Sequence, residues 1–438
     1  MAARHILSLL SLLGFFAWFF KNGFTTRAYL LGVWYIFPFI DLTVTSETMG
    51  SFTVFNAVTY ISFFILIQDF AMSLRQNRTY FVLFWVFVAV LMVGCIRSEF
   101  VVNSLFSIIR QLSIFIFASL FITEYYRDPS IAPAAVKGLR YTCIAAMVFL
   151  AIQLVVGARF TVYPYLNQNI LDSTTMRYPS FFQDPQMFSQ FMAMTSLLFL
   201  VKSDKPKEMY LNYAFFFLAV LSIFLSGGRS GLLGLCVGAL IIFIFGENKY
   251  RLFILACCIV GFLCISLFPH YFSIFSRQEG YDEAYEVRHK IWQTALGFFR
   301  NDPIWGLGFG NYGSFVAKHS LSGYYVINGE IVYYGTESGY LRILVETGVL
   351  GFISAFLFIL LPIADAIRAR IKKINNGNIY YLVAAVAAWL TAFSTLYTLS
   401  DDRTLVVLAT LLCLLITSAK RINTINEQQI HREDLVAV

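Results

Sequence analysis

Charge is scarce in this sequence. Of its 438 residues, 13% are charged and 58% are hydrophobic, and the mean hydropathy is +0.70; a soluble domain carries about 25% charged residues. The deficit excludes an ordinary soluble enzyme and defines an integral membrane protein. Cysteine offers no crosslinks either. Cys95, Cys143, Cys236, Cys257, Cys258, Cys264 and Cys413 all fall in or at apolar segments, so neither a disulfide framework nor a metal cluster is expected. No internal repeat is visible, which argues against the repeat-built transporters. Residues 5–20 form an apolar run without a small-residue cleavage site, so they do not read as a signal peptide.

What the sequence does have is long apolar runs. Spanning a bilayer takes about 20 mostly apolar residues per helix. Such runs fall near 28–45, 53–73, 79–95, 104–123, 137–157, 186–201, 209–226, 230–246, 252–268, 339–361, 379–398 and 403–418. They predict an all-α polytopic membrane protein of about 12 to 14 transmembrane helices, a single transmembrane domain over 1–438. Basic residues concentrate in alternate breaks: Arg75 and Arg78; Arg127, Lys137 and Arg140; Lys202, Lys205 and Lys207; Lys249 and Arg251; Arg368, Arg370, Lys372 and Lys373; Lys420 and Arg421. The positive-inside rule makes these the cytoplasmic loops and puts the C-terminus inside. The same bias accounts for the net charge of +7, and no nucleic-acid partner is expected.

The opposite side then receives two long connections, 158–185 and 269–338. Loops beyond about 12–15 residues are uncommon and usually functional, so the chemistry is expected on that outer face. Four arginines outside the cytoplasmic breaks face outward or sit at that interface: Arg177 in RYPSFFQDPQMF, Arg229 in SGGRSG, Arg288 in VRHKIW and Arg403 in SDDRT. Guanidinium offers permanently charged, paired donors matched to phosphate oxygens. Converging, these arginines would make an anion site at the outer surface; taken singly, each also reads as a headgroup contact or interfacial anchor. Gly227, Gly228 and Gly231 flank Arg229 and allow close backbone approach.

Residues 283–300, EAYEVRHKIWQTALGFFR, carry helical spacing, with Val287, Ile291, Ala295 and Phe298 on one stripe and Arg288, Trp292 and Leu296 on the next. The spacing predicts an amphipathic helix over the membrane mouth with Arg288 pointing into what it covers; the alternative is Arg288 stacked on Trp292. After Asn301-Asp302-Pro303 comes IWGLGFGNYGSF, in which Gly308, Gly310 and Gly313 satisfy G-x-G-x-x-G. No strand or βαβ unit surrounds it, so it reads as a tight loop rather than a dinucleotide fingerprint; its N–H groups meeting a phosphate is the lesser alternative. Tyr324, Tyr325, Tyr333 and Tyr334 read chiefly as part of an interfacial aromatic belt.

TESGYLRILVETGVLGF, 336–352, enters the membrane carrying charge. Arg342 and Glu346 stand i, i+4 and can neutralise each other, as intramembrane charges must. Glu337 has no such local partner. A carboxylate beside an arginine cluster has the form of a general base for a hydroxyl nucleophile; stabilisation of the helix N-terminus is the competing reading. Arg342, Asp401 and Arg403 are further candidates for the site.

RYPSFFQDPQ, SGGRSG, R-x-x-x-W followed by DPIWGLGFGNY, and ESGYLRILVETGVLG, in that order and spacing, resemble the O-antigen polymerase and O-antigen ligase family, from about Arg177 to the last helix. The resemblance implies a metal-independent GT-C-type glycosyltransferase without cofactor, working on the periplasmic face of the bacterial inner membrane. Its donor would be a glycan on undecaprenyl diphosphate. Family arginines that contact the lipid diphosphate carry over to Arg177, Arg229 and Arg288. Ligases of this family begin the helix after the large loop with His-Asn; here Glu337-Ser338 stand at that place, a departure toward the polymerases that leaves the base open.

The expectation is therefore a polymerase of undecaprenyl-diphosphate-linked repeat units, with membrane lipid and a polysaccharide chain-length regulator as partners. The alternatives are a ligase to lipid A-core or protein, and, from another class, a flippase of lipid-linked oligosaccharides, which would need a polar lining at mid-membrane.

Overall fold

The computed structural model describes residues 9–15, 17, 34–43, 52–158, 160, 177–201, 206–267, 281–319, 324–327, 330–333, 335–371 and 379–436. The expected runs become helices: α1 (Val54–Ile65), α2 (Ile67–Gln76), α3 (Arg78–Arg97), α4 (Val101–Arg127), α5 (Ile131–Val156), α6 (Pro185–Ser196), α7 (Pro206–Ser226), α8 (Arg229–Phe245) and α9 (Asn248–Leu267). There follow α10 (Tyr281–Asn301), α11 (Tyr312–His319), the antiparallel hairpin β3 (Tyr324–Ile327) and β4 (Glu330–Tyr333), α12 (Gly339–Ile371), α13 (Ile379–Phe393) and α14 (Asp402–Val436). Among the described residues six helices are long and apolar enough to cross a membrane: α3, α4, α5, α7, α12 and the first 18 residues of α14. α1, α8 and α13 are shorter apolar helices. The protein is thus an all-α membrane protein.

Among the described residues the expected span at 28–45 is not helical throughout, and that at 53–73 is divided at Leu66 between α1 and α2. Within 28–45, Trp34–Phe39 is a 3₁₀ helix containing Pro38, followed by strand β1 (Asp41–Thr43), which pairs antiparallel with β2 (Phe52–Thr53). Proline removes a backbone donor and breaks a helical ladder, so an apolar run of sufficient length is not a continuous helix. In the first long connection, residues 161–176 lie outside the described residues, as do 268–280 and Tyr334 in the second.

Burial orders the bundle. In residues 402–419 of α14, 94% of positions are buried, against 33% in the apolar windows of α5 and α7. α14 is the central helix; α5 and α7 keep apolar faces for lipid. α8 packs on α13 through small residues: Gly234 meets the Ala388 backbone, and a Cβ on Gly238 would stand 3.0 Å from the Ala384 carbonyl. Such stripes let two backbones approach closely, the usual way membrane helices pack. The first turn of α8 presses on α6 in the same manner, with Gly228 and Gly231 against Ser189.

The polar groups sort to two ends. At one end, the Arg127 guanidinium makes a paired contact with Asp69 (2.8 and 2.5 Å), Tyr80 donates to Asp365 (2.6 Å) and Arg140 donates to the Leu198 carbonyl (3.0 Å). This end holds basic residues of the alternate breaks. The other end gathers the turns at 98–100, 177–184, 226–229 and 394–401 and the loop 302–319, joined by the contacts described below.

At that second end α12 is broken. Gly348 has φ 63°, ψ −173°, outside the helical range. The loop after α10 fills the break, with Val349 N–H donating to the Pro303 carbonyl (2.9 Å), Leu307 N–H to Val345 (3.0 Å) and Gly308 N–H to Glu346 (3.0 Å). Backbone groups freed at membrane depth must find partners in the protein, and this loop supplies them. Gly306, Gly308 and Gly310 all have positive φ, which explains the glycines of GLGFG. Gly348→Ala is expected to destabilise the protein by more than the roughly 1 kcal/mol of a left-handed non-glycine residue, because a Cβ there would collide with the Ile304 carbonyl. Thermal unfolding in detergent checks it.

Candidate functional site

Glu337 and Arg288 meet. Arg288 Nε donates to Glu337 Oε2 at 2.5 Å, joining α10 to the mouth of α12. α10 is positioned by its apolar stripe: Ile291 and Ala295 are buried, while Val287 is exposed and Phe298 half-buried. Trp292 does not stack on Arg288 as an isolated pair but donates its indole N–H to the Thr336 carbonyl (2.9 Å), one residue before Glu337. The Thr336 hydroxyl donates to the Ser338 carbonyl (2.8 Å).

Glu337 itself is left-handed, φ 46°. For a residue with a Cβ this conformation costs of order 1–2 kcal/mol and persists only where the surroundings impose it. Ser338, not Glu337, caps the helix: Leu341 N–H reaches Ser338 Oγ (3.4 Å) and Arg342 N–H donates to the Ser338 carbonyl (3.0 Å). The Glu337 carboxylate therefore points to Arg288 rather than serving as an N-cap.

Arg177 is buried. It donates from Nε to the Ser226 carbonyl (3.2 Å) and from an Nη to that of Gly227 (3.5 Å), so it braces the turn that presents Arg229. Arg229, the first residue of α8, is exposed. Asp184, a residue sequence reading passed over, joins this group. It caps α6, accepting the Gln186 N–H at 2.5 Å ahead of Pro185. Burial pushes the Asp184 carboxyl above its ordinary value; the Arg177 charge opposes that rise and the Glu337 charge adds to it. Asp184 thus lies within electrostatic reach of both Arg177 and Glu337. The signal in the sequence was Asp-Pro before an apolar run, the signature of a capped helix start.

The further candidates occupy a different place. Arg342 Nε donates to Glu346 Oε1 (3.0 Å) and its guanidinium lies 4.2 Å from the centre of the Tyr397 ring. Glu346 is fully buried. It also accepts the N–H groups of Gly310 (3.0 Å) and Tyr312 (3.2 Å) and the Tyr397 hydroxyl (3.2 Å). Two N–H donors of the G-x-G-x-x-G loop are thus spent on an internal carboxylate, and that of Gly308 on the Glu346 backbone carbonyl. Asp401 accepts from the Thr404 hydroxyl (2.7 Å) and N–H (3.2 Å) and stands 3.5 Å from Arg403. Arg403 is buried, 5.7 Å from the Phe39 ring centre.

A buried network missed in the sequence holds this second group to the bundle. Arg110, inside the apolar run of α4, bonds the Ser400 carbonyl (2.5 Å) and Asp402 (3.1 Å), and Asp402 accepts from the Thr53 hydroxyl (3.0 Å). An arginine within a membrane segment is by itself a signal of a specific partner. By contrast, a cavity of about 110 Å³ bounded by α3, α4, α12 and α14 is walled by Phe84, Phe115, Phe358 and other apolar side chains, with no charged residue in its lining.

Fold and site together define an all-helical membrane protein in which arginines and carboxylates from separate loops are assembled at one end of the bundle. Residues 214–356 match the family model described as O-antigen ligase. Over that stretch the chain is similar to the O-antigen polymerase and ligase family, and the match supports membership of it. The matched region contains Arg229, Arg288 and Glu337; Arg177 and Asp184 lie before it. No curated protein matches the sequence.

Proposed function

We propose that the protein is a polymerase of undecaprenyl-diphosphate-linked oligosaccharide repeat units. The observation that carries the reading is the Glu337 carboxylate at the mouth of α12, ion-paired to Arg288 and in the electrostatic reach of Asp184, beside the Arg177-braced turn of Arg229. A terminal sugar hydroxyl of one unit attacks the anomeric carbon of the second glycan. Its proton passes to Glu337, the new glycosidic C–O bond forms, and the bond to the diphosphate breaks with its electron pair leaving on the diphosphate. Direct displacement inverts the anomeric centre. Arg229 and Arg288 hold the leaving diphosphate, with Arg177 beside them, stabilising charge as it grows. No metal or cofactor enters this step.

The same reading places the protein in the bacterial inner membrane, GT-C-type in architecture, with about 12 to 14 spans, its site toward the periplasm and its C-terminus in the cytoplasm, as the basic breaks require. A chain-length regulator is its natural partner. Ligase activity is the second reading; Glu337-Ser338 in place of His-Asn favours the polymerase. A flippase is disfavoured, because the described cavity is apolar and the intramembrane charges pair with one another.

Purified protein in lipid discs, given undecaprenyl-diphosphate-linked repeat units alone without metal or nucleotide, is expected to yield a ladder with repeat-unit spacing on a gel. A band that shifts only when lipid A-core is added would establish a ligase. Arg288→Ala should lower ladder formation by about 10²–10³-fold, as loss of one transition-state donor does; full activity at normal protein level would remove the clamp.

A further inference from the structure

We infer that Glu337 is a placeholder in the diphosphate subsite: its carboxylate and the donor's diphosphate compete for Arg288, so the donor binds first and its binding creates the base. The inference rests on the proposed polymerase reading and adds to it an order of events.

The geometry carries it. Arg288 Nε is held by Glu337 Oε2 at 2.5 Å, yet both side chains are open to solvent, Arg288 51% and Glu337 37% exposed. A guanidinium engaged through Nε to a carboxylate cannot present that edge to a phosphate. The carboxylate oxygen held by the guanidinium is not turned to an incoming sugar hydroxyl. The resting pair therefore masks both functions at once. Exposed ion pairs are weak, whereas a diphosphate brings more charge and paired acceptor oxygens to the same guanidinium. Exchange favours the diphosphate.

The exchange needs only a side-chain movement. The backbone around Glu337 is braced by Trp292 on Thr336, by Thr336 on Ser338 and by Ser338 at the start of α12. Released from Arg288, the carboxylate stays on the same left-handed backbone at the rim of the site, now beside a bound donor. Without donor the base is engaged, which prevents an acceptor or water from being activated over an empty site.

The test is binding of undecaprenyl diphosphate without sugar to wild type, Glu337→Gln, Glu337→Asp and Arg288→Ala in lipid discs, with thermal unfolding of each as the folding control. Glu337→Gln removes the competing charge and is expected to bind roughly twofold to fivefold tighter than wild type, the upper part of the range for an exposed pair. Glu337→Asp keeps the charge but shortens its reach, and its affinity should lie between the two. Arg288→Ala should bind at least tenfold more weakly. Unchanged or weaker binding by Glu337→Gln, together with weakened binding by Arg288→Ala, would overturn the placeholder while leaving the clamp intact. Unchanged binding by both variants would overturn the clamp itself, so the two failures are distinguishable.

Discussion

Glu337→Gln is expected to lower the rate of glycan transfer by about 10²–10⁴-fold, the range a positioned general base contributes. The amide keeps the size of the side chain and a hydrogen-bonding oxygen for Arg288, and it leaves the left-handed backbone of residue 337 and the Ser338 cap as they are. What it loses is the ability to take the proton of the attacking hydroxyl. The defect should therefore appear in turnover while donor binding improves, a combination that a merely structural Glu337 would not produce. The measurement is the initial rate of ladder formation at saturating donor, compared with the thermal unfolding of the same preparation. A variant that keeps more than a tenth of the wild-type rate would leave Glu337 as a partner of Arg288 only, and the base would have to be sought at the neighbouring Asp184.

Glu346→Ala should be the most destabilising single substitution at this end of the bundle. Glu346 satisfies Arg342, the N–H groups of Gly310 and Tyr312, and the Tyr397 hydroxyl simultaneously. Removing one member of a buried pair leaves the other charge uncompensated, at a cost of about 3–5 kcal/mol, and here the orphaned loop N–H groups add to it. The expected result is a large fall in the thermal unfolding midpoint in detergent, or failure to accumulate in the membrane. Adding Arg342→Met to Glu346→Gln should recover part of the loss, because it removes the unpaired charge while the amide still accepts from the loop. No loss in Glu346→Ala would show that the glycine loop is held by its backbone pairing with 345–349 alone.

These two glutamates, nine positions apart, one just before α12 and one within it, show where sequence reading succeeds and where it stops. The i, i+4 spacing of Arg342 and Glu346 was sufficient to expect their pairing, since helix geometry alone brings such positions together. No comparable rule links Glu346 to Gly310 or Tyr397, or Glu337 to Arg288, because those partners are brought by chain folding across other elements. Asp184 had a local signal as a helix cap, but its charge relation to Glu337 had none. Arg110 announced that it needed a partner without announcing which.

By itself the sequence determined the class of protein, the existence of most helices and the amphipathic character of α10. These follow from hydropathy, helical period and charge placement, all of which are local. Tertiary structure decided the rest: that the apolar run near 28–45 is not one helix, that Arg177 and Arg403 are buried, that the glycine loop feeds an internal carboxylate, and that Glu337 rests against Arg288. The physical reason is that a charged group in or near a membrane must find an opposite charge or a set of donors. Which of several candidates it finds depends on how helices separated by tens to hundreds of residues pack, and no local pattern encodes that choice.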